Sequence, residues 1–91
     1  MNEADFRQAC IDEGYGEAQP LIFEPNQSNG MHTHEFSAFL FVQEGAFTVI
    51  RRTGEQTYAA NASCKVSAGT PHAERTGQEG ASVLVGRKAS S

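Results

Sequence analysis

The chain has 91 residues, with 11 acidic and seven basic side chains and a net charge of −4. This length suits one small domain with one core. The negative charge argues against nucleic acid as a partner. The basic residues also form no patch, since the closest ones are the pairs at 51–52 and 87–88. No stretch approaches the ~20 apolar residues of a membrane span. The acidic first segment lacks the features of a secretory signal. Cys10 and Cys64 suggest no disulfide framework. We therefore expect a cytoplasmic protein that binds neither nucleic acid nor membrane.

A short helix is predicted over residues 2–13. Asn2 is a suitable N-cap residue. Gly14 is a suitable C′ residue, and Tyr15 can fold back as the apolar residue that follows it. We assign residues 1–17 to this helix and its connection.

Short apolar segments separated by turns make up the rest of the chain. Turns are predicted at 29–30 and 53–54, and Gly45 is expected to end one strand before another begins. The pattern predicts an all-β domain over residues 18–87, an antiparallel β-sandwich or barrel. Residues 88–91 are predicted to be a polar tail that frays. The predicted strands cover residues 20–23, 38–42, 46–51, 55–58, 63–67, 71–76 and 81–85.

Phe39 and Phe41 raise a question of burial. Side chains alternate between the two faces of a strand. If Ala38, Leu40 and Val42 line the barrel, these two rings lie outside it. The predicted helix, through Phe6 and Cys10, or a second subunit must then cover them. Of these alternatives we expect a homodimer.

Cys64 is predicted to point into the barrel, as is Val66 two residues later. A cysteine in such a position is more commonly a small core residue than a reactive thiol. Oxidation or contact with a metal is the alternative.

The three histidines of the chain form the candidate site. His32 and His34 are separated by one residue and share a side of an extended strand. His72 follows a turn made by Gly69 and Pro71, which can aim its side chain at a fixed point. Paired imidazoles are a common start of a metal site.

The arrangement of these residues resembles the cupin superfamily. Its first motif consists of a glycine, five residues, H-x-H, three or four residues, a glutamate, six residues and a glycine. This motif matches at His32, His34 and Gly45. Its second motif consists of a glycine, five residues, P-x-G, two residues, a histidine, three residues and an asparagine. This motif matches at Gly69 and His72. The resemblance covers residues 18–87 and is strongest to small single-domain bacterial cupins. It implies a jelly-roll barrel with a metal held by the three histidines.

Five positions depart from the motifs. Ser67 replaces the proline and Thr76 the final asparagine, and neither is a usual metal ligand. Asn26 and Asn61 replace glycines, and we expect both turns to survive because asparagine tolerates a left-handed backbone. Ala38 replaces the glutamate ligand and cannot coordinate a metal. The motif spacing therefore predicts a neutral three-histidine site with open positions, or a pocket whose histidines contact a small ligand or water without metal.

Three other carboxylates are candidates for the vacated position. Glu44 shares the parity of Ala38 but lies six residues further on, about 20 Å along an extended strand. Glu35 follows His34 directly, so it points to the opposite face unless a bulge redirects it. If no carboxylate reaches the ligand position vacated at Ala38, water is the other candidate to fill it. Glu74 lies two residues after His72 on the same face, about 6–7 Å along the strand. We expect Glu74 to act as a base beside the site and to be a poor direct ligand.

Three imidazoles suit several divalent metals, namely Zn, Fe, Ni, Cu and Mn. Without the glutamate, the site carries a larger positive charge, which favours a small anionic chelating ligand. The resemblance implies a possible metal-dependent oxygenase, since three-histidine iron sites occur among cupin dioxygenases. An isomerase or lyase, and a non-enzymatic module that senses a small molecule with or without metal, are the alternatives.

Overall fold

The computed structural model describes residues 1–89, which form one helix and six antiparallel strands. The predicted all-β architecture with a short N-terminal helix is confirmed. The helix is too short to cross a membrane, and none of the described residues form one that could. The elements are α1 Glu3–Asp12, β1 Gln19–Phe23, β2 Ser28–His32, β3 Phe36–Arg51, β4 Gly54–Ala59, β5 Ser63–Val66 and β6 His72–Ala89.

Strands β3 and β6 are long enough to run through two layers of the domain. The first half of β3 and the second half of β6 pair with each other and are flanked by β5 and β1. The second half of β3 and the first half of β6 also pair, and they are flanked by β4 and β2. The two long strands therefore join the layers around one interior, as expected of a jelly roll.

The predicted break at Gly45 is wrong, because β3 continues through it. Gly45 has a φ of 80° and lies in a region of register shifts, so it forms a bulge that bends the strand. Gly80, with a φ of 67°, directly precedes Ala81, the residue of β6 that pairs with Gly45. A Cβ added at Gly45 would collide with the carbonyl oxygen of Gly80. Both predicted strand pairs, 38–42 with 46–51 and 71–76 with 81–85, are thus single bent strands.

Two further predictions need correction. The turn predicted at 29–30 lies within β2, which is irregular between Asn29 and His32 but stays paired with β6. The predicted tail is partly strand, because Lys88 and Ala89 pair with Ser37 and Phe36 of β3. Residues 90–91 of that tail lie outside the described residues.

The predicted left-handed asparagines are confirmed. Asn26 has a φ of 55° and Asn61 a φ of 72°. Asn26 donates its backbone N–H to the Gly77 carbonyl at 2.8 Å, and Asn61 donates to that of Val42 at 2.8 Å. The side chain tolerates this backbone region, so the turns survive the loss of the motif glycines.

Helix α1 begins and ends as predicted. The Asn2 side-chain oxygen accepts the backbone N–H of Asp5 at 2.8 Å. At the other end Gly14 has a φ of 85°, and the N–H of Tyr15 reaches the Cys10 carbonyl at 2.7 Å. This is a Schellman arrangement, which satisfies carbonyls that the helix leaves free.

The helix packs on the outer face of β3 and covers its two phenylalanines. Phe6 lies 4.8 Å from Phe39 and 5.3 Å from Phe41 between ring centroids, and the three rings are at most 4% exposed. The other buried members of this outer cluster are Cys10, Ala18 and Leu84. The phenylalanines therefore need no second subunit, and the homodimer stays a prediction without the observation that motivated it.

Candidate metal centre

The three histidines lie together at the junction of β2, β3 and β6. His32 ends β2 and pairs across the strands with His72, the first residue of β6. His34 lies in the connection from β2 to β3. One potential ligand atom from each lies within 4.8 Å of those of the other two. The proximity expected from the sequence is present.

Backbone carbonyls orient two of the imidazole rings. Nδ1 of His32 lies 2.6 Å from the Gly30 oxygen, and Nδ1 of His72 lies 2.9 Å from the Thr70 oxygen. A carbonyl only accepts hydrogen bonds, so each Nδ1 is the donor. In the neutral rings, Nε2 then carries the free lone pair, which is the form that binds a metal. The donor set therefore fits a divalent metal ion.

His34 is held by an aromatic ring. Its imidazole stacks on Phe36, with centroids 4.6 Å apart and an interplanar angle of 20°. Burial lowers the pKa of His34, and the neighbouring His32 and His72 lower it further, while Glu74 acts in the opposite direction. The environment thus favours the neutral imidazole, which is again the ligand form.

Glu74 brings a carboxylate directly to the histidines. Its side chain is 13% exposed, and its two oxygens lie 3.6 Å from Nε2 of His32 and 3.7 Å from Nε2 of His72. Asn29 donates its side-chain amide to Oε1 at 3.4 Å. The expected placement on the same face as His72 is correct. The distance between Glu74 and His72 along the strand does not separate their functional groups, because the Glu74 side chain turns back towards the rings.

The other two positions discussed from the motif are placed differently. Ala38 is buried and lines the cavity beside the histidines. Glu35 is exposed and does not line that cavity. Among the described residues, Glu74 is thus the carboxylate that approaches the histidines.

The histidines open onto a cavity of about 330 Å³ between the two layers. Its size is at the lower end of small-molecule sites. Gln27 and Asn29 add amide groups beside Glu74. The apolar wall includes Leu21, Phe23, Ala38, Leu40, Val66 and Val85.

Arg87 also lines the cavity, and the sequence reasoning missed it. Its guanidinium lies 4.9 Å from the centre of the Phe36 ring, on which His34 also stacks. It is the one Lys or Arg among the described residues lining this cavity. Alternation along β6 was the available signal, because Val83 and Val85 point into the core and Arg87 shares their parity.

The cysteines are packing residues. Cys64 packs against the interior core, and burial raises the pKa of its thiol to about 11. It does not line the cavity. Cys10 is fully buried under the helix, where burial likewise raises its pKa. The core role predicted for Cys64 agrees with this placement.

A comparison with protein families decides the identity. Residues 21–86 match the family described as the cupin domain. The chain is a cupin. No curated protein matches this cupin in sequence.

Solved structures show the same fold at low sequence identity. This cupin is similar to a protein of unknown function from Rhizobium leguminosarum, with 19% identity and a TM-score of 0.76 over 81% of this chain and 70% of that chain. It is similar to the oxalate decarboxylase of Bacillus subtilis, with 17% identity and a TM-score of 0.67 over 77% of this chain and 20% of that chain. The polyketide cyclase RemF from Streptomyces resistomycificus gives 20% identity and a TM-score of 0.65 over 78% of this chain and 53% of that chain. At these identities the likeness establishes the fold.

Proposed function

We propose that this cupin binds a divalent metal ion through His32, His34 and His72 and presents it to a small anionic ligand in the adjoining cavity. The observation that carries the proposal is the orientation of the rings. Backbone carbonyls hold Nδ1 of His32 and of His72, and their Nε2 atoms face the same space. Histidines that merely filled a polar surface would not need this common direction.

The cavity supports an anionic ligand with a small apolar body. Arg87 is positioned to pair with a carboxylate, which a guanidinium binds through two parallel hydrogen bonds. The apolar wall excludes water and favours a compact carbon skeleton. A short keto acid or a comparable chelating anion meets both requirements.

Metal-dependent oxidation of such a ligand is the reaction that we propose first. A bound metal would polarise the oxygen atoms of a chelating ligand as a Lewis acid, and a redox metal would also supply electrons. Arg87 orients the ligand, and Glu74, with Asn29 fixing Oε1, is placed to hold or move a proton next to His32 and His72. The fold itself does not select the reaction, since an oxalate decarboxylase and a polyketide cyclase share it.

Loading and ligand screening test this proposal. The untagged protein would be prepared without metal, loaded separately with Zn, Fe, Ni, Cu and Mn, and screened by thermal shift against oxalate, 2-oxo acids, β-diketones and thiols. We expect stabilisation by an anionic chelator in a metal-loaded form and none in the metal-free form. Equal stabilisation of the metal-free form would contradict a metal-dependent site. Oxygen uptake with the ligand identified supports oxidation, whereas none with any redox metal rejects it.

We also propose a homodimer in the cytoplasm. Both cysteines are free thiols, as is common in a reducing compartment. Ile22 and Met31 are 65% and 51% exposed, and such apolar groups suit a contact between copies. Sedimentation that gives a single 9.8 kDa species at micromolar concentration would remove the dimer.

A further inference from the structure

We infer that Glu74 is a direct fourth ligand of the metal and replaces, from β6, the carboxylate that Ala38 removes from β3. This inference rests on the metal site of the proposed function. Coordination through one carboxylate oxygen would leave the other oxygen for the proton role of the proposed function.

The distances favour coordination over hydrogen bonding. Oε1 lies 3.6 Å from Nε2 of His32, and Oε2 lies 3.7 Å from Nε2 of His72. Hydrogen bonds between nitrogen and oxygen are usually 2.7–3.2 Å long. Two ligands that each lie about 2.1 Å from a tetrahedral metal are about 3.4 Å apart. Each of the two Glu74 oxygens is therefore spaced from one histidine, Oε1 from His32 and Oε2 from His72, as a co-ligand is.

A positive charge between these groups would also stabilise the arrangement. With each Nδ1 donating to a carbonyl, Nε2 of His32 and Nε2 of His72 both face the Glu74 carboxylate. Among the described residues, no Lys or Arg forms an ion pair with Glu74. A largely buried carboxylate is unfavourable unless a cation lies beside it. A divalent metal at the position shared by the three rings supplies that cation.

Neighbouring strands fix the carboxylate in place. Glu74 pairs with Asn29 of β2 on one side and with Val49 of β3 on the other. The Asn29 amide donates to Oε1, which orients the group without neutralising its charge. Ala38 lies in the other half of β3, opposite Val66 and Arg87. The carboxylate therefore arrives from a different strand and a different layer.

This exchange changes the charge of the site. Three histidines and a divalent metal carry +2, and ligation by Glu74 reduces this to +1. The attraction of the metal for an anion is then weaker, and Arg87 becomes the principal charged group that selects an anionic ligand. The space beside Ala38, where a glutamate would stand, is left to the ligand.

Zinc binding followed by infrared difference spectroscopy tests the inference. The metal-free protein would be titrated with Zn²⁺ alone, and the carboxylate stretching bands would be compared before and after loading, in wild type, Glu74→Gln and Glu35→Gln. Glutamine keeps the size of the side chain and its contact with Asn29. Glu35→Gln is the matched control, because it removes the same charge next to His34 from an exposed side chain outside the cavity.

We expect zinc to shift a carboxylate band in wild type and in Glu35→Gln but not in Glu74→Gln. The Kd for zinc should rise more than about 100-fold in Glu74→Gln and less than about threefold in the control, since a lost ligand exceeds the 10–100-fold typical of an outer partner. A wild type that binds zinc without any carboxylate shift would overturn the inference and leave the three-histidine site intact, and this measurement needs no variant to fold. A wild type that binds no zinc or other metal would defeat the proposed function itself.

Discussion

His32 and His72 face each other across the pairing of β2 with β6, and their ring centroids are 4.5 Å apart. The pairing brings together two residues that are 40 positions apart in the chain. Both rings are also tied to backbone carbonyls, so a metal bound as proposed would meet side chains that are already oriented. Preorganisation of this kind makes each histidine individually important.

Replacing His72 with alanine should reduce zinc affinity more than about 100-fold, because the site loses a ligand and its fixed partner for His32. Isothermal titration with Zn²⁺ measures the change. Gln56→Ala, on exposed β4, is the control and should bind as wild type does. Unchanged affinity in His72→Ala would exclude this residue as a ligand.

Replacing Arg87 with glutamine should weaken binding of a chelating anion about tenfold or more while zinc affinity stays within about threefold, since charged hydrogen bonds contribute roughly 1.5–3 kcal/mol. The comparison uses the metal-loaded protein and the anion identified by thermal shift.

Lys88→Gln provides the matched control for Arg87→Gln. It removes the same charge from the next residue of β6, where Lys88 donates to the Glu13 carbonyl and lies near Tyr15, away from the cavity. Equal effects of the two substitutions would mean that Arg87 acts only through the net charge of the protein.

Phe6→Ala should destabilise the protein by about 3–5 kcal/mol, because it removes a fully buried ring that covers Phe39 and Phe41. Guanidinium unfolding measures the loss. The exposed residue Ile11 lies on the same helix, so Ile11→Ala should change stability by less than about 0.5 kcal/mol. A loss below about 1 kcal/mol in Phe6→Ala would show that the helix does not cover the sheet in solution.

The Cys64 thiol should make stability depend on alkaline pH. Burial holds its folded pKa at about 11, whereas the unfolded thiol ionises near pH 9, so the folded state binds more protons between these values. The free energy of unfolding contributed by Cys64 should therefore be complete below about pH 9 and fall as the pH rises towards about 11. Urea unfolding over this range should show a smaller decline in Cys64→Ala, and an identical decline would contradict the raised pKa.

Local features of the chain were predictable because they depend on few neighbouring residues. The Asn2 cap, the Schellman end at Gly14 and the left-handed Asn26 and Asn61 each follow from the conformational preference of one residue type. The meeting of the histidines followed from the spacing of two motifs.

The rest depends on registers and side-chain directions that spacing does not specify. The bulge at Gly45 joins two predicted strands into one, because pairing continues on both sides of it. Arg87 lies next to the predicted fraying tail, but pairing with β3 continues β6 through Ala89 and places the guanidinium at the cavity. The distance along the strand predicts that Glu74 is a poor direct ligand, whereas its side chain turns back to His32 and His72.

Elemental analysis of the untagged protein tests the central claim most directly. The protein would be dialysed after reconstitution with Fe, Zn, Ni, Cu and Mn in turn, and its metal content compared with that of His34→Ala. We predict about one tightly bound metal ion per wild-type chain, with most of it lost in the variant. A wild-type protein that retains none of the five metals would contradict the assignment of His32, His34 and His72 as a metal centre.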